Sequence, residues 1–200
     1  MNKKKLICLL LTIIIIFSVA ACGGNGGGGG SGNSNLTGTA LEVLSKLDED
    51  LQQTGIEMPM TLPPMEVSPE MSQNDIGLST ADFNRLVTSA SSSLAAIGTF
   101  AHQIVIIQAN NASAATEVKN LISGSGGYDS QKWICVWPEK VIVVESGPYV
   151  LLAAARADVV DAAVEAFRSE AGNIGTVVTF FEHEGGGDVA PPGGMPITLG

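Results

Sequence analysis

Apolar residues recur along this chain at two spacings, one helical and one strand-like, and the change between them organises the reading. Leu41, Leu44, Leu47 and Leu51 repeat at helical intervals. Thr39 and Glu42, just ahead of them, match the S/T-x-x-E capping box, and Gly55 stops the pattern. The spacing predicts a helix over about 40–53. A second stripe, Phe83, Leu86, Val87, Ala90, Leu94 and Ile97, begins after Ser79 or Thr80 as cap and ends at Gly98. It predicts a helix over about 80–97, although Ser89 and Ser91–Ser93 are poor helix formers. Between the two, Pro59, Pro63, Pro64 and Pro69 and the methionines 58, 60, 65 and 71 predict an extended, proline-stiffened connection.

Beyond residue 100 the pattern turns to strands. "QIVIIQA" (103–109) is a short β-branched apolar run, as expected of a buried strand. Asn110, Asn111 and Ser113 lead into a helix over about 113–123 with Ala115, Val118, Leu121 and Ile122 inward. "WICVW" (133–137) reads as a short strand, and "KVIVVES" and "PYVLLAAA" flank Ser146-Gly147 as a hairpin. Asp158 is the expected cap of a helix to Ala171, and "TVVTFF" (176–181) is the last strand. Glu182–Gly200, with six glycines and three prolines, reads as a loose tail.

The order from Gln103 to Phe181 is β-α-β-β-α-β, the ferredoxin-like or split-βαβ arrangement. The expectation is a single α+β domain over 39–181, helical over 39–100 and sheet-forming over 101–181. The first and third strands of that order are expected to be central and the second and fourth to be edges. Its two helices are expected on one face of the sheet and the 80–97 helix on the other.

The first 38 residues lie outside this domain. Lys3, Lys4 and Lys5 precede an apolar run from Leu6 to Phe17, followed by small residues up to Ala21, which is the layout of a secretory signal peptide. The run is shorter than the roughly 20 residues a bilayer span needs. Val19-Ala20-Ala21-Cys22 resembles the lipobox of bacterial lipoproteins. The resemblance implies a diacylglycerol on Cys22 and cleavage between Ala21 and Cys22. It also implies a location at the cell membrane, lipid-anchored and facing outside the cytoplasm. Gly23–Asn35 has eight glycines in thirteen residues and no apolar side chain. Such a coil reaches about 20 Å, enough slack to clear the headgroups. The 22–38 stretch is therefore a tether.

Charge and cysteine content narrow the function. Losing Lys3, Lys4 and Lys5 takes the formal charge from -10 to -13. So acidic a chain lacks the basic footprint of a nucleic-acid binder. Cys135 is the only domain cysteine, so no internal disulfide is available; inside "WICVW" it reads as a small buried hydrophobe. The methionines of 58–71 are soft donors, but no Cys or His lies among them, and adaptable packing is the reading taken. Glu182, His183, Glu184 and Asp188 crowd together, yet alternate strand residues face opposite ways, so no metal site is assigned. "SGSGGYD" (123–129) lacks the Lys-Ser/Thr pair of a phosphate-binding loop. His102 has no identifiable catalytic partner. No catalytic set and no cofactor are expected.

Tyr128, Trp133, Trp137 and Tyr149 form a dense aromatic group. Exposed, Tyr128, Trp133 and Trp137 are candidate contacts for a sugar ring or a protein; buried, they are core. From "HQIVIIQANNASAATEVKNLI" to "WPEKVIVVESGPYVLLAAA" the chain resembles small Gram-positive lipoproteins of the domain-of-unknown-function family 4358. The likeness covers roughly residues 80 to 171. It implies a surface lipoprotein, and no catalytic residue carries over from it. The function expected is a non-catalytic binding module at the envelope, engaging a protein or cell-wall component. The alternative is a solute or cell-wall-sugar receptor using the aromatic residues.

Overall fold

Seven apolar residues in a row can be buried on both faces at once, and "YVLLAAA" is. In the computed structural model, which describes residues 33–133 and 136–182, this strand lies inside a six-stranded antiparallel sheet. The elements run α1 (Ala40–Gln53), β1 (Met65–Glu66), α2 (Ser72–Ile76), α3 (Thr80–Leu86), β2 (Val87–Leu94) and β3 (Gln103–Ala109). They continue with α4 (Ala112–Ser123), β4 (Lys140–Ser146), β5 (Tyr149–Ala155), α5 (Ala157–Ala171) and β6 (Val178–Glu182). The fold is mixed α and β, with sheet order β1-β2-β3-β5-β4-β6. The expected signal peptide, Cys22, most of the expected tether, Cys135 and the segment from His183 lie outside the described residues. Among the described residues no helix is long and apolar enough to cross a membrane.

Helix α1 starts where its capping box predicts. Thr39 Oγ1 accepts from the Glu42 N–H, and Glu42 Oε2 accepts from the Thr39 N–H. β3, α4 and the β4–β5 hairpin also fall on the predicted segments. Helix α5 ends as predicted but is capped differently. Asp158 sits within its first turn, and Glu139 Oε2 accepts the Ala157 N–H at 3.0 Å. No strand is assigned to Trp133, Val136 or Trp137.

The 80–97 helix is a correction. The helix stops at Leu86, and Val87 continues directly in extended geometry as β2. Val87 and Thr88 are β-branched and four serines follow within Val87–Leu94, so little holds these residues helical. β2 instead pairs with β3 along its whole length, from Val87 opposite Ala109 to Leu94 opposite Gln103. Its serines are short enough for a helix to lie close: Ser89 Oγ accepts the first N–H of α1. The 39–100 part is thus not purely helical.

The ferredoxin-like order is a second correction, and it shares a cause with the first. That order needs the last strand beside β3, but β2 holds that edge. β6 pairs with β4 instead. So β4, expected at an edge, is internal; β3 and β5 are internal as expected, and β6 is an edge. The helix arrangement follows. β3 and β4 are parallel, as are β5 and β6, and both crossovers move the same way across the sheet. Their strands point in opposite directions. Right-handed crossovers then place α4 and α5 on opposite faces rather than on one.

Two cores result, one per face. Ala115, Val118 and Ile122 of α4 and Phe83 and Leu86 of α3 cover Val105, Ile107, Val143, Val150 and Leu152. Leu44, Leu47 and Leu51 of α1 and Val160, Ala163 and Phe167 of α5 cover Ile104, Ile106, Ile142 and Leu151. Two charged residues of β4 are accommodated. Glu145, buried, meets Lys119 of α4 at 2.6 Å, and Lys140 reaches Asp161 of α5 at 2.8 Å.

Candidate functional site

The sheet has two distinct ends. At one, Gly147 turns the β4–β5 hairpin, and the chain enters beside it: Ser34 lies against Gly147, and the Asn35 N–H donates to Ala171 O at 2.9 Å. At the other, Gln103 opens β3 opposite Ala154, and Lys140 opens β4 opposite Ala155. The connection from α4 to β4 passes this second end, and two clefts open there, lined by its residues.

The first cleft is built by a close backbone approach. Gly77, at φ +76°, ends α2, and a Cβ on it would lie 2.2 Å from Tyr128 N. Gly127 is equally tight against Ile122 O and Leu121 O. The chain after α4 therefore folds back, with the Tyr128 N–H donating to Ile122 O. That turn aims Tyr128 inward, edge-on to Phe180, with its hydroxyl donating to Gln103 Oε1 at 2.9 Å. Gln103 in turn donates to Ser92 Oγ at 3.0 Å and Asp75 O at 3.2 Å.

Lys132 closes this network. Its Nζ donates to Gln103 Oε1 at 2.7 Å, Asp75 O at 2.9 Å and Asn74 O at 3.3 Å. It also lies 4.4 Å from the centre of the Tyr128 ring and 5.5 Å from that of Trp133, within cation–π range. Burial pulls Lys132 down to about 8, so the ammonium still predominates at pH 7. Desolvation raises the Asp75 carboxyl, against the pull of Lys132, and burial raises the Tyr128 phenol. The cleft above encloses about 740 Å³ and is lined by Gln73, Asn74, Asp129 and Trp133. The Trp133 indole Nε1 is buried and has no hydrogen-bond partner. It is a donor set against a cleft with amide walls.

The second cleft, of about 330 Å³, includes Phe100, Trp137, Glu57, Glu139 and Arg156 in its lining. His102 also lines it, only 2 % exposed, with Nδ1 unpartnered. Burial lowers its pKa to about 4, so the imidazole is neutral at pH 7. Arg156 pairs with Asp158, and Glu139 and Glu57 add to the field that raises its pKa. A third depression, about 240 Å³ beside Asn35 and Lys46, lies at the opposite end.

Of the aromatic candidates, Tyr128 and Trp133 come together around Lys132, with Tyr128 internal and Trp133 at the surface of the cleft. Trp137 lines the other cleft. Tyr149 lies toward the hairpin turn, donating to Gly38 O. Cys22, Ala21, Cys135 and His183 are outside the described residues. Sequence reasoning missed Lys132, Gln103 and Asp75. One signal was available: Lys132 is among seven basic residues after the signal segment, and it stands between Tyr128 and Trp133. Among the described residues no three His, Cys, Asp or Glu side chains converge to hold a metal. No family model, no curated protein and no solved structure matches the chain.

Proposed function

We propose that this chain is a lipid-anchored protein facing outside the cytoplasm, held by a diacylglycerol on Cys22, and that it acts by binding rather than by catalysis. One observation carries the reading: the polarity of the fold. The tether joins the domain at the Gly147 end, and both larger clefts open at the Gln103 end. A seven-residue strand separates those ends by about 23 Å. With attachment on the hairpin side, the clefts lie at the end of the domain remote from the point of attachment, accessible to the cell wall or to a neighbouring envelope protein. The test has two parts. Cys22→Ala should move the protein out of the membrane fraction, and unchanged fractionation and mobility would refute the anchor. Crosslinking on intact cells should recover a specific envelope partner or wall fragment; recovering none would refute the interaction.

A second reading, a solute or cell-wall-sugar receptor, is favoured by the unpartnered Trp133 indole N–H beside the amides of Gln73 and Asn74. Sugars offer hydroxyl acceptors for that donor and a C–H face for the ring. In thermal-unfolding screens of wall fragments and sugars, a ligand at 100 times its dissociation constant adds about 2.7 kcal/mol. Trp133→Ala should abolish that shift while Trp137→Ala retains it. A shift that survives both changes would rule the cleft out.

A further inference from the structure

The Trp137 cleft continues into an exposed apolar ridge. Met60, Ile97 and Phe100 are 76 %, 55 % and 50 % exposed. Backbone bonds gather them at the tip of the β2–β3 connection. The Ala96 N–H donates to Met60 O at 2.8 Å, Thr61 bridges Ala95, and the Phe100 N–H donates to Ile97 O at 3.3 Å. Phe100 and Pro59 also line the cleft with Trp137, so ridge and cleft form one surface. Large exposed apolar residues scattered singly are ordinary, but a contiguous group leading into a pocket marks an interaction site.

The charge around this surface selects the partner. Arg156 is the one cation among the described cleft-lining residues, and it sits in the field of Asp158, Glu139 and Glu57. The carboxylates outnumber it, and the whole chain is at -10. His102 adds no charge, since its imidazole is neutral at pH 7. An apolar floor with an acidic rim complements a segment that carries apolar side chains and basic ones together. An anionic lipid surface is disfavoured by the same carboxylates, and the chain enters the domain at the far end of the sheet.

We propose that the Trp137 cleft and the Met60–Ile97–Phe100 ridge form a docking surface for a basic, apolar polypeptide segment of a protein partner. An apolar side chain of the partner enters the cleft beside Trp137, and a lysine or arginine next to it meets Glu57. This deepens the binding reading by naming the surface and the chemistry of the partner. Its failure would leave the anchor and the Lys132 cleft untouched, because those are read by fractionation and by Trp133→Ala.

The probe is an amidated decapeptide of alternating lysine and leucine, titrated into the purified full chain while tryptophan fluorescence is read. The expected result is saturable binding whose signal is lost in Trp137→Phe and kept in Trp133→Phe. Phe100→Ser and Glu57→Lys should each weaken affinity by roughly tenfold or more, with the unfolding midpoint unchanged. Glu165→Lys, an exposed change on α5 away from this surface, should leave affinity unchanged. An equal loss in Glu165→Lys would mean bulk attraction and overturn the proposal. So would equal binding of the glutamate–leucine counterpart. Phosphatidylglycerol vesicles that bind the chain only while Phe100 is intact would make the surface a membrane contact, again overturning it. A photo-crosslink from position 97 into residues 183–200 of the same chain would do the same.

Discussion

At the scale of single residues, four buried residues set measurable costs. Lys119 and Glu145 face each other at 2.6 Å between α4 and β4, both nearly inaccessible to water. Removing one partner strands a buried charge, so Lys119→Met should cost about 3–5 kcal/mol in urea unfolding. Adding Glu145→Leu should recover most of that loss, because an apolar pair needs no desolvation. His102 gives a pH signature. Its folded pKa, about 4, lies below the usual 6.5. Protons therefore bind the unfolded chain more tightly, and the stability it supports at neutral pH is lost as pH falls from 6.5 toward 4. Between pH 7 and pH 5 the loss is about 2 kcal/mol. His102→Gln should flatten the stability–pH curve by that amount in unfolding at the two pH values; an unchanged slope would contradict the burial argument. Gly77 is the fourth such residue. Its positive φ and the Tyr128 backbone against it leave no room for a methyl group. Gly77→Ala should cost about 2–4 kcal/mol and weaken ligand binding in the Lys132 cleft, read by calorimetry of whichever ligand the screen finds.

At the scale of elements, local signals were honoured where they agreed with the sheet and overruled where they did not. The capping box of α1 is local and complete, so Thr39→Ala should lower stability by about 1 kcal/mol, seen as a shifted urea midpoint. The stripe from Phe83 to Ile97 has helical spacing, yet its second half is a strand. The spacing of Val87, Ala90 and Leu94 could not reveal that β3 offered an unpaired edge on that side. β4 shows the converse. Lys140 and Glu145 are charges of the kind an edge strand tolerates, but each finds an opposite charge on a covering helix, which lets the strand be internal.

At the scale of the whole molecule, the sheet separates the end where residues 34–35 pack from the end where the two larger clefts open. The chain enters at the hairpin-turn end, and the two larger clefts lie on the other, one lined from the α2–β3 side and one from α5 and His102. The α4–β4 connection contributes Lys132 and Trp133 to one cleft and Trp137 to the other. Two neighbouring tryptophans are thereby assigned to different surfaces, and single substitutions should separate their effects. Trp133→Ala should alter solute binding and leave the lysine–leucine peptide bound, and Trp137→Ala should do the reverse, read by calorimetry. If both changes affect both ligands, the clefts act as one site.

By itself the sequence determined the helix capped by Thr39, the β3 run, α4, the β4–β5 hairpin and the end of α5. Each of these is written in near neighbours: a cap, a period of apolar residues, a two-residue turn. It also singled out the aromatic segment around 128–137. The tertiary structure alone decided that 87–94 is a strand, that β6 joins β4, and that the helices flank both faces. Those outcomes depend on which edge is free when distant segments meet, and once β2 takes the place beside β3 the crossover rule fixes the rest. The Lys132 network was hidden for the same reason. Asp75, Gln103 and Lys132 lie far apart in the chain, and only the close approach at Gly77 sets them at hydrogen-bonding distance.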